Sequence, residues 1–221
     1  MSHSVARQEL VRLLEYTLRA PELTRADLDR FCALARDRGI ASVCVNGSRL
    51  LQAAHFLEES EVKITCSIAF PYGASEADVK RYETEVAVDG GAHFIEVAAN
   101  LGRLKDGDDA YVLREFRDIV EAADERAVSV YLHTMLLTAD EIRRASILAL
   151  EAVAKSITLT AGLNSATTIE AVKLVREAAG EKIGIKVDQE VFALSEVVGL
   201  LDAGVTRFGV VDEARLLQDL D

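Results

Sequence analysis

Lys186 has the setting in this chain that most clearly suggests chemistry. It stands in the stretch IGIKVDQE (183–190), whose alternation is that of a β-strand running into a polar end. Period-2 alternation turns Ile183 and Ile185 one way and Gly184, Lys186 and Asp188 the other. The stretch KSITLTAG (155–162) alternates in the same manner and puts Ser156, Thr158 and Thr160 on one face. An amine and several hydroxyls would then meet at one end of a barrel or sheet, with Thr158 and Thr160 as pocket-lining donors. A buried lysine is costly unless paired or neutral. Desolvation would free it for imine formation, and carboxylate partners would hold it protonated and make it a poor nucleophile.

Glu96 is the charged residue inside the apolar run HFIEVAA (93–99), and it shares a face with Phe94 and Ala98. It is a candidate for proton transfer or for an ion pair with Lys186. His133, near the end of AVSVYLHT (127–134), could act as a general acid or base near neutral pH. Asn46, Ser67 and Asn100 fall at strand ends, where polar groups could contact a substrate. No spacing here matches a metal-ligand motif and no glycine-rich nucleotide loop is present, so the sequence calls for no metal and no cofactor.

The elements that must position these groups alternate regularly. A leading helix is expected over 5–14, and strands begin near Leu13, Ala41, Val62, His93, Ala127, Lys155, Lys182 and Val205. Helical patterns with capping signals follow them: Thr24 with Asp27, Ser75 with Asp78, Thr138 with Glu141, and a closing helix over 212–220. The stretch NLGRLKDGDD (100–109) reads as turn. Eight β/α repeats in 221 residues imply an α/β fold, a single (β/α)8 TIM barrel over 1–221 with an extra N-terminal helix and its site at the carboxyl ends of the strands.

Composition agrees with that architecture. Half of the residues are hydrophobic, 5% are aromatic and there is no Trp, which means a core of Ala, Val, Leu and Ile. A net charge of -12 argues against nucleic acid as a partner. Cys32, Cys44 and Cys66 show no ligand or disulfide spacing and read as buried thiols in a reducing compartment. The first residues carry no apolar signal region, and no run approaches ~18 uninterrupted apolar residues. The expectation is a soluble cytoplasmic protein without membrane contact.

The order of motifs resembles the deoxyribose-phosphate aldolase family, class I aldolases on a small barrel. The likeness spans nearly the whole chain. It rests on LEYTLRAPELT, SVCVNGSRL, FPYG (70–73), GGAHFIEVAANLGRLKDGD, KSITLTAGL, IGIKV and RFGV. The resemblance implies a lysine that forms a Schiff base, a second lysine on the next strand and a catalytic carboxylate. Here the Schiff-base position is held by Thr158, the second lysine is matched by Lys186 and the aspartate by Glu96. The family's first-strand aspartate appears as Glu15, its fifth-strand glutamate as His133, and its second-strand cysteine as Cys44. Acidic groups including Asp188 and Asp212 stand where the family has its phosphate-binding glycine turns. Carboxylates there would repel a phosphate.

These residues lead to the expectation of a small-molecule carbonyl substrate without phosphate, bearing an amine or hydroxyls. Lys186 would act as amine or acid, with Glu96 and His133 moving protons, in C–C bond formation or cleavage, cyclisation or elimination. The alternative is a catalytically silent relative, its pocket closed by side chains, that binds a small ligand or a protein partner. A phosphosugar aldolase with a relocated lysine ranks below both. The resemblance also implies a possible homodimer.

Overall fold

Parallel pairing joins each strand to the next and the last to the first, so the sheet has no edge. In the computed structural model, which describes residues 7–162, 167–190, 192–211 and 216, the strands close in the order β1 to β8. They are β1 Leu14–Leu18, β2 Ser42–Asn46, β3 Lys63–Ile68, β4 Phe94–Ala98, β5 Ala127–His133, β6 Ser156–Thr160, β7 Gly184–Asp188 and β8 Arg207–Val210. The register places Thr158 beside Lys186, Thr160 beside Asp188 and Glu15 beside Gly209.

Helices cover the outside. After a short α1 (Arg7–Val11) come α2 (Arg25–Arg38), α3 (Leu50–Phe56), α4 (Ala77–Asp89), α5 (Leu101–Lys105), α6 (Asp109–Ala122), α7 (Ala139–Glu151), α8 (Ile169–Ala179) and α9 (Leu194–Asp202). The Thr24/Asp27 and Thr138/Glu141 capping boxes both form, and α2 ends at Gly39, whose left-handed backbone (φ 70°) favours glycine. The closing helix expected over 212–220 and part of the expected leading helix lie outside the described residues.

Two local expectations are corrected. Ser75 does not cap α4, which starts after Glu76; the Glu76 carboxylate instead accepts a hydrogen bond from the Tyr111 hydroxyl at 3.2 Å. The stretch expected as turn contains α5, because the Asn100 side chain accepts from the Arg103 backbone N–H at 3.2 Å and starts a helical turn.

Alternation divides the core in two. Outward-facing Val43, Val45, Ile64, Ile95, Val97, Val130, Leu132, Ile157, Leu159, Ile185 and Val187 are buried against the helices. Inward-facing positions are polar: Glu15, Ser42, Thr65, Ser67, Glu96, Thr158, Thr160, Lys186 and Asp188 are all buried. A barrel of this kind is ordinarily filled by branched apolar side chains, so a polar interior must satisfy its own charges. No helix among the described residues is long and apolar enough to cross a membrane.

Candidate functional site

Lys186 projects into the barrel from the middle of β7. Its Nζ lies 2.5 Å from Glu15 Oε1 on β1, 2.6 Å from Glu96 Oε2 on β4, and 3.4 Å from Asp188 Oδ1 two residues on. The second Glu15 oxygen accepts from the hydroxyls of Ser42 at 2.7 Å and Thr65 at 2.5 Å. Thr158 donates to Glu96 Oε2 at 2.6 Å, and its hydroxyl lies 2.8 Å from that of Ser129. The strands converge these groups because each supplies an inward side chain at nearly the same height.

The carboxyl-terminal side of this layer is covered by Arg19, which lies just beyond β1. Counting by twos from Glu15 brings Thr17 and then Arg19 to the inward face. Its guanidinium crosses the barrel mouth to donate to Glu96 Oε1 at 2.5 Å and Asp188 Oδ2 at 2.6 Å. It stands 4.2 Å above the Phe70 ring and 5.2 Å from that of Tyr131, and those two rings meet edge to face. Only 8% of the Arg19 side chain is exposed. Gly73 lets the FPYG turn that carries Phe70 pack on the end of β4, since a Cβ there would overlap the carbonyl oxygens of Ala98 and Ala99.

The electrostatics follow from counting charges. Two cations, Arg19 and Lys186, face three carboxylates, Glu15, Glu96 and Asp188. Burial pushes the Lys186 ammonium down, but Asp188, Glu15 and Glu96 together outweigh it and hold it well above the ordinary lysine range. Burial pushes Glu15 up, and the charge and hydrogen bond of Lys186, with the bonds from Thr65 and Ser42, bring its carboxyl down to about 2. Asp188 goes the other way. Burial, joined by Glu96 and Glu15, outweighs Lys186 and Arg19 and lifts its carboxyl above the usual range. Its Oδ1 is buried without a hydrogen bond among the described residues, in space that a Cβ on Gly209 would fill. Asp188 is therefore better suited than Glu15 to carry a proton.

A cavity of about 80 Å³ touches Glu15, Glu96 and Lys186. Its other walls include Phe94, Ala127, Ser156 and Arg207, each the first residue of its strand. This approach is from the amino-terminal face, opposite to the face expected from the sequence. The reason is the Arg19 guanidinium, which occupies the space over the carboxyl side. The volume is enough for a few waters.

Of the residues singled out from the sequence, Lys186, Glu96, Glu15, Thr158 and Asp188 meet in the cluster. Cys44 and Ser67 lie at its edge: the Cys44 thiol is 3.2 Å from the Ser67 hydroxyl and 3.9 Å from Glu96 Oε1. Burial, with Glu96 beside it, pushes that thiol well above its usual range, so it is no nucleophile. Asn46 is engaged elsewhere, donating to the Arg19 carbonyl at 3.0 Å, and Asn100 is the α5 cap. The Thr160 hydroxyl accepts from the Gly162 N–H at 3.1 Å. His133 stands at the end of β5 beside Thr160, its ring against Gly162 and its Nδ1 buried without a hydrogen bond among the described residues. It makes no contact with Lys186 there. Asp212 lies outside the described residues. Sequence reasoning passed over Arg19, its ring neighbours Phe70 and Tyr131, and the hydroxyls of Ser42, Thr65 and Ser129; the signal that would have found Arg19 is its place four residues after Glu15.

Comparison with known proteins adds the family. The chain is 36% identical to the deoxyribose-phosphate aldolase of Clostridium perfringens (strain SM101 / Type A) over 205 residues, 92% of each chain. It belongs to the deoxyribose-phosphate aldolase family. A second relative, deoxyribose-phosphate aldolase 1 of Bacillus licheniformis, is 36% identical over 204 residues, covering 91% of this chain and 92% of the relative. The solved aldolase QR15 superposes with a TM-score of 0.86 at 26% identity, over 92% of this chain and 91% of that one. No protein-family model matches the chain. Membership in this family makes the chain a relative of lyase-type enzymes built on the same barrel.

Proposed function

We propose that this chain is an aldolase-type enzyme for an unphosphorylated carbonyl compound, in which a fixed ammonium and a buried acid replace the imine. The observation that carries the reading is Lys186 Nζ between Glu15 and Glu96, 2.5 and 2.6 Å away. An amine so held is a cation, which favours polarising a carbonyl oxygen over attacking its carbon. The resemblance gives the family's Schiff-base position to Thr158, whose hydroxyl cannot form an imine.

In this reading the Lys186 ammonium holds the carbonyl oxygen and the enolate that forms from it. Asp188 takes the proton from carbon, or from the hydroxyl beyond it when a C–C bond breaks, and returns it to the product. Glu15 stays ionised and keeps Lys186 charged, while Glu96 joins the two cations. His133 is a second proton carrier at the strand ends. Three carboxylates against two cations disfavour a phosphorylated substrate.

The test is hydrogen exchange at the carbon next to the carbonyl, followed by NMR in D₂O with a panel of unphosphorylated hydroxy- and aminocarbonyl compounds. The reading expects exchange by the wild-type chain, at least ~100-fold less with Asp188→Asn, and no lysine adduct on borohydride treatment. A reduced adduct on Lys186 would replace it with imine chemistry. A second reading, a silent relative that only binds a ligand, draws on the covering Arg19 side chain. Ligand-dependent melting without exchange would favour it.

A further inference from the structure

The group over the barrel mouth is a cation held as a ligand would be held. Arg19 is bound by carboxylates from two different strands, 2.5 Å to Glu96 and 2.6 Å to Asp188. Phe70 and Tyr131 offer it ring faces at 4.2 and 5.2 Å. Paired acids beside paired aromatic rings form a subsite for an organic cation, since the acids supply charge and the rings supply a polarisable, water-excluding wall. Arg19 reaches it from beyond the end of β1, on a flexible stem.

If Arg19 swings away with nothing in its place, Lys186 alone faces three buried carboxylates. Leaving buried charge unpaired is strongly unfavourable, so whatever displaces the guanidinium must itself be positive. A neutral polyol would leave both acids unpaired, and a carboxylate or phosphate would add to the repulsion.

We infer that the cage of Glu96, Asp188, Phe70 and Tyr131 is the subsite for a cationic group of the substrate, an ammonium or guanidinium, and that Arg19 occupies it in the resting chain as an internal stand-in. This deepens the proposed function and rests on it for the carbonyl part of the ligand. The substrate class becomes a small aminocarbonyl compound. Its positive end takes the place of Arg19, and its carbonyl oxygen reaches down toward Lys186.

The experiment compares wild type with Arg19→Met, which keeps a stem and removes the charge, by thermal melting and titration calorimetry. The probes are methylguanidinium, propylammonium and the neutral isostere N-methylurea. Either cation at ten times its dissociation constant should raise the melting temperature of Arg19→Met by roughly 3–5 °C, with N-methylurea giving under a tenth of that. Equal shifts from N-methylurea, or no shift from either cation with folded Arg19→Met, would overturn the inference.

If that variant does not fold, wild type decides. Aminoacetone should bind at least tenfold more tightly than hydroxyacetone, and the reverse preference would refute the subsite. Binding and exchange fail separately. Cations that bind without any carbonyl exchange leave the subsite standing and remove the enzyme reading. Exchange on neutral carbonyls with no cation binding does the opposite.

Discussion

Two lysines are buried among the described residues, and they have opposite surroundings. Lys186 lies inside the barrel among three carboxylates, with Arg19 as a second cation. Lys80, on α4, lies between the helices and the sheet, ion-paired with one carboxylate, Glu115 of α6, at 2.8 Å, with Glu83 acting on it more weakly, and donates also to the Ala98 carbonyl at 2.9 Å. Burial pulls Lys80 below the ordinary lysine range despite Glu115 and Glu83, and burial lifts Glu115 above the carboxylate range despite Lys80. With one ion-paired acid and a weaker second, desolvation wins and the pair leans toward neutrality. Where several acids face the amine, their sum wins and the ammonium is locked. A buried lysine is thus no mark of a nucleophile by itself, and the number of acids around it decides its charge.

The largest expected effect separates the two regions. Lys186→Met leaves Glu15, Glu96 and Asp188 with Arg19 alone, and should destabilise the fold by about 3–5 kcal/mol in urea melts, with loss of any carbonyl exchange. Adding Glu15→Gln should recover only part of that cost, because two further acids remain. Lys80→Met should also cost about 3 kcal/mol, but the double change Lys80→Met with Glu115→Leu should return to within ~1 kcal/mol of wild type. Full recovery in the barrel, or none between α4 and α6, would erase the contrast between the two lysines.

Acid titration sharpens it further. Glu15 in the folded chain titrates at about 2, below its unfolded value near ~4.3. Its contribution, on the order of 3 kcal/mol, is therefore fully present above pH ~4.3 and lost as pH falls toward ~2. Glu15→Gln should flatten the stability curve in that window. Glu115 has a raised carboxyl, so Glu115→Gln should leave the acid limb in place. The smallest effect is expected at Asp188. Its carboxyl is raised rather than lowered, so its loss leaves the acid limb in place, and with Glu15 and Glu96 still facing the two cations Asp188→Asn should cost less stability than Lys186→Met while removing exchange.

How much of this could be read in the sequence follows from the reach of each side chain. Strand alternation and helix caps carry the barrel, and alternation also put Lys186, Asp188, Glu96 and Thr158 on inward faces, because a short-range period fixes direction. It does not fix what a long side chain crosses the barrel to meet. Arg19 stands past the last residue of β1, where the strand pattern has stopped, and its partners are 77 and 169 residues away. Asn46 and Asn100 were legible as strand-end polar groups, but backbone partners specific to the fold engage them. Lys80 and Glu115 look like charges on ordinary amphipathic helices, and only the packing of α4 on α6 buries them. The side from which the ion cluster is reached was likewise hidden, since it depends on where one guanidinium lies.

The proposed chemistry depends on the state of one amine, which ¹³C NMR of selectively labelled lysine can read at the Lys186 Cε across pH. A locked ammonium predicts a Cε shift that does not move from pH 6 to pH 10.5, unaltered by carbonyl compounds. A titration near neutral pH, or a new imine resonance on adding a carbonyl compound, would contradict the central claim and return Lys186 to the role of nucleophile.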